Sequence, residues 1–352
     1  MEFKPEKQYI ARLLGEEKRK FIIPEYQRPY RWTKDECETL WNDILGVFVD
    51  GSKVEEYFLG SIVTYKNDNE ELEIIDGQQR ITTLTLLFRA FYECLKKGKA
   101  KVNHLFLFSF GKCVWEINLK TQTGLIFENN HLNSKVVTDA DNDILKNILS
   151  EEIDITKIKS NNSNYAKNYI FFYEKLREFI LNQPLLFEKF CDMFLEKKLF
   201  VLLVVCDSQE SAMTIFNTLN SRGLPLSNAD ILKGYIYKKS EEKEKFANDW
   251  KDIETKIEES DNVKDLDFLF LQYMHIIRAE NGDTNTTTQG VLPFFTKTDK
   301  KEYYGALQDW LYKPETMPFI SNLADFWINP KEYLSDKSNR YIGILNLFQN
   351  DT

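Results

Sequence analysis

The sequence has 352 residues, which at the usual domain size corresponds to about two domains. Its 43% hydrophobic and 29% charged residues are typical of a folded globular protein, and no apolar run reaches the roughly 18–20 residues of a membrane span. Five scattered cysteines without a CxxC pair and three isolated histidines exclude a zinc site, and the lack of a signal segment favours a cytoplasmic location. The net charge of −9 argues against a general nucleic-acid binder, although residues 18–34 carry six basic side chains and one acid.

The first predicted elements are a short strand, a loop and a helix. The apolar residues 21–23 form the strand, and residues 24–32 form a loop rich in arginine and aromatic side chains. Thr33 with Glu36 three residues later is a capping box, so the helix begins there and ends before residues 50–51.

A hairpin and a long helix follow. Residues 57–65 and 72–76 are strand patterns separated by a polar turn, which predicts a β-hairpin. Gly77 breaks the second strand, and the apolar spacing predicts a helix from about residue 79 to residue 97.

The rest of the chain is predicted to be mostly helical, with one buried strand. Seven consecutive apolar residues at 200–206 predict that strand. Ser227 and Asp230 form a second capping box, and the pattern beyond a boundary near residue 240 is helical and charged. The other predicted helices cover residues 165–181, 185–197 and 208–219.

The strongest functional pattern is the turn between the second hairpin strand and the long helix. A glycine there allows close backbone approach, and the free N–H groups at the helix start suit a phosphate. Arg80 would add a guanidinium group, Thr82 or Thr83 a hydroxyl, and Asp76 could hold Mg²⁺ or a water molecule. The alternative is a plain turn in which Asp76 caps the helix and Arg80 lies on the surface.

The loop before the first helix combines cations with aromatic rings. Arg28 and Arg31 flank Tyr30 and precede Trp32, an arrangement that could bind phosphate and stack a base. The alternative is that Tyr26, Tyr30 and Trp32 anchor the core while the arginines pair with nearby acids.

A third polar segment lies near residue 220. Asn217 and Asn220 are one helical turn apart, Arg222 and Gly223 follow in a turn, and Lys233 lies in the next helix. These side chains could complete a polar pocket, or Asn220 and Gly223 could simply terminate a helix.

Four segments in this order, IPEYQRPYRW, YFLGSIV, IIDGQQRITTL and IFNTLNSRGLPLSNADILK, resemble the DGQQR-type N-terminal domain of GmrSD-like type IV restriction enzymes and related phage-defence proteins. The resemblance covers residues from about 15 to 240. It implies a fold akin to ParB and sulfiredoxin, in which the DGQQR turn binds and hydrolyses a nucleoside triphosphate, often with a divalent ion. It also implies that nucleotide use regulates an endonuclease aimed at modified foreign DNA.

The resemblance and the residue chemistry together define an expected site. Asp76 and Arg80 are expected to be catalytic, and Asp76 is also the expected Mg²⁺ ligand. The nucleotide could be ATP, GTP, CTP or UTP. The expected nucleotide-binding residues are Gln27, Arg28, Tyr30, Arg31, Trp32, Gly77, Gln78, Gln79, Thr82, Thr83, Asn217, Asn220, Arg222 and Lys233.

The expected fold class is α+β, with a ParB/sulfiredoxin-like nucleotide-binding core in residues 1–100, a mostly helical region in 101–240 and a helical portion in 241–352. Residues 241–352 contain a single histidine, His275, and lack the sequence pattern of the family's His-Asn-His nuclease. DNA cleavage is therefore not expected from these residues. Either the chain is a shortened form or the nuclease is a separate polypeptide.

The expected partners are the nucleotide and, through a nuclease domain or subunit, modified phage DNA. No membrane partner is expected, and a homo-oligomer is left open. The alternatives are a sensor that binds nucleotide or modified DNA without hydrolysis, and a ParB-like protein that binds or nicks DNA.

Overall fold

The structure is a computed structural model that describes residues 3–49, 56–97, 104–118, 124–136, 139–196, 198–219, 227–260, 262–284, 290–296 and 308–333. The chain divides into two compact units, Met1–Pro225 and Leu226–Thr352, which we call the first and second units.

The first unit combines strands and helices. Its described strands are β1 (Phe3–Tyr9), β2 (Phe21–Ile23), β3 (Tyr57–Lys66), β4 (Leu72–Asp76), β5 (Trp115–Ile117), β6 (Leu125–Asn130), β7 (Leu132–Ser134) and β8 (Leu199–Cys206). Its described helices are α1 (Ile10–Gly15), α2 (Lys34–Val49), α3 (Gln78–Lys97), α4 (His104–Gly111), α5 (Asn142–Ile148), α6 (Ile155–Lys159), α7 (Asn164–Asn182), α8 (Phe187–Leu195) and α9 (Gln209–Leu219), with a 3-10 turn at Pro184–Leu186.

Six of the described strands form one mixed sheet in the order β1-β8-β3-β4-β2-β7, and β5 pairs with β6 separately. β3 and β4 form the predicted antiparallel hairpin, and β8, the predicted buried strand, lies parallel to β3. β2 is parallel to both β4 and β7. This mixed sheet with packed helices confirms the α+β class.

Helix α3 forms the centre of the first unit. Every residue from Ile81 to Leu95 is buried, because α3 packs against both α4 and α7. The sequence predicts one inward-facing apolar stripe, whereas the structure buries all sides of the helix. Arg89 is fully buried with Glu93 4% exposed, and their side chains form an ion pair of 2.8 Å. A helix so enclosed holds its first turn, which follows β4, in a fixed position.

The described secondary-structure elements of the second unit are all helices. The Ser227 side chain accepts a 3.0 Å hydrogen bond from the Asp230 backbone N–H, so the predicted cap is confirmed. No helix in the described parts of the two units has the length and apolar character to cross a bilayer. The described helices are α10 (Asn228–Lys239), α11 (Lys243–Glu258), α12 (Leu266–Glu280), α13 (Val291–Thr296), α14 (Gln308–Leu311), α15 (Thr316–Ile328) and α16 (Pro330–Tyr333).

Candidate functional site

The turn between β4 and α3 requires glycine. Gly77 has φ +93°, and a Cβ atom there would lie 2.9 Å from Ile62 Cγ1. The Ile81 N–H donates to Gly77 O at 2.9 Å, so Gly77 is the last residue before the helix. The N–H groups of the first helical turn have no acceptor inside the helix, and they carry the positive end of its dipole. The start of α3 therefore favours negative charge beside it.

Arg80 is docked on a bulge of β3. Its Nη1 donates a 2.7 Å hydrogen bond to Ser61 O, and its guanidinium carbon lies 2.7 Å from where a Cβ of residue 60 would be. Gly60 has φ +107°, and the register of β3 with β8 shifts between Phe58 and Ser61. A side chain at residue 60 would displace Arg80. The structure thus uses the glycine of YFLGSIV to seat the arginine of the turn.

Asp76 ends β4 beside two arginines. Burial raises the pKa of its carboxyl group, while the Gly77 backbone N–H and the charges of Arg80 and Arg28 act in the opposite direction. Burial likewise lowers the pKa of Arg80, opposed by Asp76. Within the described residues, no three His, Cys, Asp or Glu side chains are grouped to bind a metal ion. Asp76 can therefore supply one carboxylate to a cation, with other ligands needed from elsewhere.

The two glutamines of the turn hold the loop Pro24–Trp32, which we call the arginine loop. Gln79 Oε1 accepts from the Arg31 and Trp32 N–H groups at 2.7 and 3.1 Å, and Gln79 Nε2 donates to Pro29 O at 3.1 Å. Gln78 Nε2 donates to Arg28 O at 2.5 Å. The loop therefore lies against the start of α3 through side chains that the sequence assigns to the nucleotide.

Other residues of the site lie in the core beneath the loop. Gln27 is buried, and its Nε2 donates to Ile75 O at 3.1 Å. Tyr30 is 5% exposed, and its hydroxyl lies 2.7 Å from Thr83 Oγ1. Thr82 is fully buried, and its hydroxyl has no hydrogen-bond partner among the described residues. Trp32 is partly buried.

The arginines of the loop remain at the surface. Arg28 and Arg31 are both exposed, and Arg28 is close enough that its charge acts to lower the pKa of Asp76. The structure thus brings Asp76, Gly77, Arg80 and the arginine loop to one place, although β4 and the loop are far apart along the chain.

The sequence model described as the GmrSD restriction endonuclease N-terminal domain matches residues 10–237. The chain belongs to this family. The match begins in α1 and ends in α10, and it includes the β4–α3 turn and the arginine loop. No curated protein matches the chain.

The third segment of the expected site is only partly described. Asn217 lies on α9, while Asn220, Arg222 and Gly223 lie outside the described residues. Lys233 lies on α10 of the second unit, where its Nζ is 3.8 Å from Glu254 Oε1 and 5.3 Å from the Trp250 ring centre. The first turn of α9 reaches the arginine loop, since its Gln209 donates to the Tyr26 hydroxyl at 2.9 Å.

Three residues of this GmrSD-family domain were missed by sequence reasoning. Gly60 and Ser61 seat Arg80, and an isolated glycine inside a strand pattern is the signal that could have pointed to them. Asn168 of α7 donates to the Tyr30 hydroxyl at 2.9 Å and to Trp32 O at 2.7 Å. No local pattern distinguishes this asparagine from others on a helix.

Proposed function

We propose that the chain is the nucleoside-triphosphate-binding and hydrolysing regulatory module of a GmrSD-like type IV restriction system, directed at modified phage DNA. Its membership of the GmrSD N-terminal domain family supports a role in restriction. The observation that carries the nucleotide part is the start of α3 directly after Gly77, which lies beside the docked Arg80 side chain and the Asp76 carboxylate. A ParB- and sulfiredoxin-like fold of the first unit is part of the same proposal.

The phosphates would bind at the β4–α3 turn. The backbone N–H groups at the start of α3 would face the phosphate oxygens, as at other helix starts that bind anions. Arg80 and Arg28 would add positive charge near Asp76. Gln78 and Gln79 would contribute by holding the arginine loop, since their amide groups already bond to its backbone.

Asp76 would serve the hydrolytic step. It would hold Mg²⁺ or orient the attacking water molecule, and the phosphates and water would supply the remaining ligands that Mg²⁺ prefers. When bound, the cation would neutralise charge that develops on the phosphate oxygens. Tyr30, Trp32 and the hydroxyls of Thr82 and Thr83 would support the site from the core side.

The remaining partners belong to the same proposal. Asn217, Asn220, Arg222 and Lys233 remain in the proposed set of nucleotide-binding residues, as the resemblance of their segment to the family implies. DNA would be reached through a nuclease domain or subunit, and self-association of the chain is compatible with this role. Which of ATP, GTP, CTP and UTP is used would follow from the experiment below.

The test is thermal unfolding of the chain with each of the four nucleotides and Mg²⁺, followed by a phosphate-release assay. A nucleotide at 100 times its Kd should stabilise the chain by about 2.7 kcal/mol. We expect Arg80→Ala to remove the shift and Asp76→Asn to abolish phosphate release, while Arg12→Ala, an exposed arginine of α1, serves as the matched control.

Three other results would redirect the assignment. Binding without phosphate release would favour a sensor. A salt-dependent DNA affinity that is lost in Arg28→Ala and Arg31→Ala would favour a ParB-like DNA-binding or nicking protein. Binding and hydrolysis that persist unchanged in both turn variants would place the site elsewhere.

A further inference from the structure

Helix α7 contacts the arginine loop through three side chains of its first two turns. Asn164 Nδ2 donates to Arg31 O at 3.4 Å, and the Tyr165 ring stacks on Tyr30 with ring centres 4.8 Å apart. Asn168 makes the two shorter contacts, to the Tyr30 hydroxyl at 2.9 Å and to Trp32 O at 2.7 Å. The loop is therefore held by α7 as well as by Gln78 and Gln79 of α3.

The hydrogen bonds below the loop have one consistent direction. The Asn168 amide nitrogen can only donate, so the Tyr30 oxygen accepts from it. The Thr83 hydroxyl donates to Gln79 O at 2.9 Å, which leaves its oxygen to accept the Tyr30 proton at 2.7 Å. The donor at position 168 thus sets the direction of every hydrogen bond in this series, which runs from Asn168 of α7 through Tyr30 and Thr83 to Gln79.

The start of α7 is itself held in place by a hydrogen bond to Asp139. The Tyr165 hydroxyl donates to Asp139 Oδ2 at 2.6 Å, and the same carboxylate receives the Asp141 N–H at 3.0 Å. Asn168 is fully buried, with 0% of its surface accessible, so water cannot replace its hydrogen bonds.

We propose that Asn168 is a positioning residue that holds the arginine loop, and with it Arg28 and Arg31, in place over the β4–α3 turn. This inference rests on the proposed nucleotide function, because it assigns Asn168 a role through the loop arginines. Arg28 is exposed and its charge acts on the Asp76 carboxyl group, so the distance between the two charges changes when the loop backbone moves. Gln78 and Gln79 hold that backbone from the α3 side and Asn168 holds it from the α7 side.

The decisive variant is Asn168→Asp, which keeps the shape of the side chain but removes both donated hydrogen bonds. The first readout needs no ligand: hydrogen exchange of the Arg31 and Trp32 amides, which donate to Gln79. We expect about ten-fold faster exchange or more, as for the loss of buried hydrogen bonds. Phe172→Leu, on the same helix and equally buried, makes no hydrogen bond to the loop and should leave this exchange unchanged.

The second readout separates positioning from support of the fold. Arg28→Ala should weaken nucleotide binding about ten-fold in the wild-type chain but less than about three-fold in the Asn168→Asp chain, because the arginine is already displaced there. If Asn168→Asp does not fold, Tyr30→Phe is measured in the same way. It removes the hydroxyl between Asn168 and Thr83 and keeps the stacking of ring 30 on Tyr165.

The outcomes are distinct. Faster exchange with a reduced effect of Arg28→Ala supports the positioning role. Unchanged exchange, or an equal effect of Arg28→Ala in both chains, overturns the positioning role alone. A wild-type chain that binds none of the four nucleotides overturns the proposed function, and the positioning role with it.

Discussion

Gly60→Ala is the change that most directly tests how the candidate site is built. The residue has φ +107°, and an added Cβ would lie 2.7 Å from the Arg80 guanidinium carbon. An alanine in this conformation costs about 1–2 kcal/mol in backbone strain. Loss of the hydrogen bond from Arg80 to Ser61 O costs about 1–2 kcal/mol more. This value lies at the lower end of the range for hydrogen bonds of charged groups, because Arg80 is partly exposed.

We therefore expect Gly60→Ala to lower the free energy of unfolding by about 2–4 kcal/mol. In an Arg80→Ala background the same change should cost only the strain of about 1–2 kcal/mol, because no guanidinium group remains to be displaced. Urea unfolding of the four chains, followed by intrinsic fluorescence, measures both values.

Gly46→Ala is the matched control. Gly46 lies within α2, and a Cβ there would meet nothing within 4 Å. The change should stabilise the chain by about 0.5–1 kcal/mol, since alanine is the better helix former. A Gly60→Ala cost below about 1 kcal/mol, or an equal cost with and without Arg80, would refute the proposed seating of the arginine.

Three further predictions concern ionisable groups. Because burial raises the folded-state pKa of Asp76 above its unfolded value, the stabilising contribution of its neutral form is complete at low pH and is lost as pH rises through the folded pKa. Asp76→Asn should accordingly be more stable than the wild type at pH 7, and this difference in the free energy of unfolding should shrink towards pH 3. Unfolding measurements at both pH values test this, and a difference that grows at low pH would contradict it. Arg89→Met should cost about 3–5 kcal/mol in urea unfolding, because the buried Glu93 carboxylate loses one of the two cations that it pairs with among the described residues and keeps Lys97. A cost below about 1 kcal/mol would show that the Arg89–Glu93 pair is dispensable. All five cysteines are buried, and burial raises the pKa of Cys113 to about 12, so a thiol reagent at pH 8 should react only after unfolding; rapid reaction of the native chain would argue against this packing.

The sequence by itself determined most of the local elements around the site. The Thr33–Glu36 capping box is present, with the Thr33 N–H donating to Glu36 at 2.7 Å, and the hairpin of β3 and β4 lies where its strand patterns predict. These elements could be predicted because caps, turns and alternation depend on residues only a few positions apart. The family followed from the order of four segments, and the match to residues 10–237 confirms it.

The tertiary structure decided what the polar residues of these segments do. Gln79 holds Pro29, Arg31 and Trp32, which precede it by about fifty positions, and Asn168 reaches the same loop from far beyond it. An amide can bind a phosphate or a backbone carbonyl equally well, and the choice depends on which chain segment the fold brings within 3 Å. That distance is set by the packing of α3, α7 and the sheet together, and no local pattern of residues encodes it.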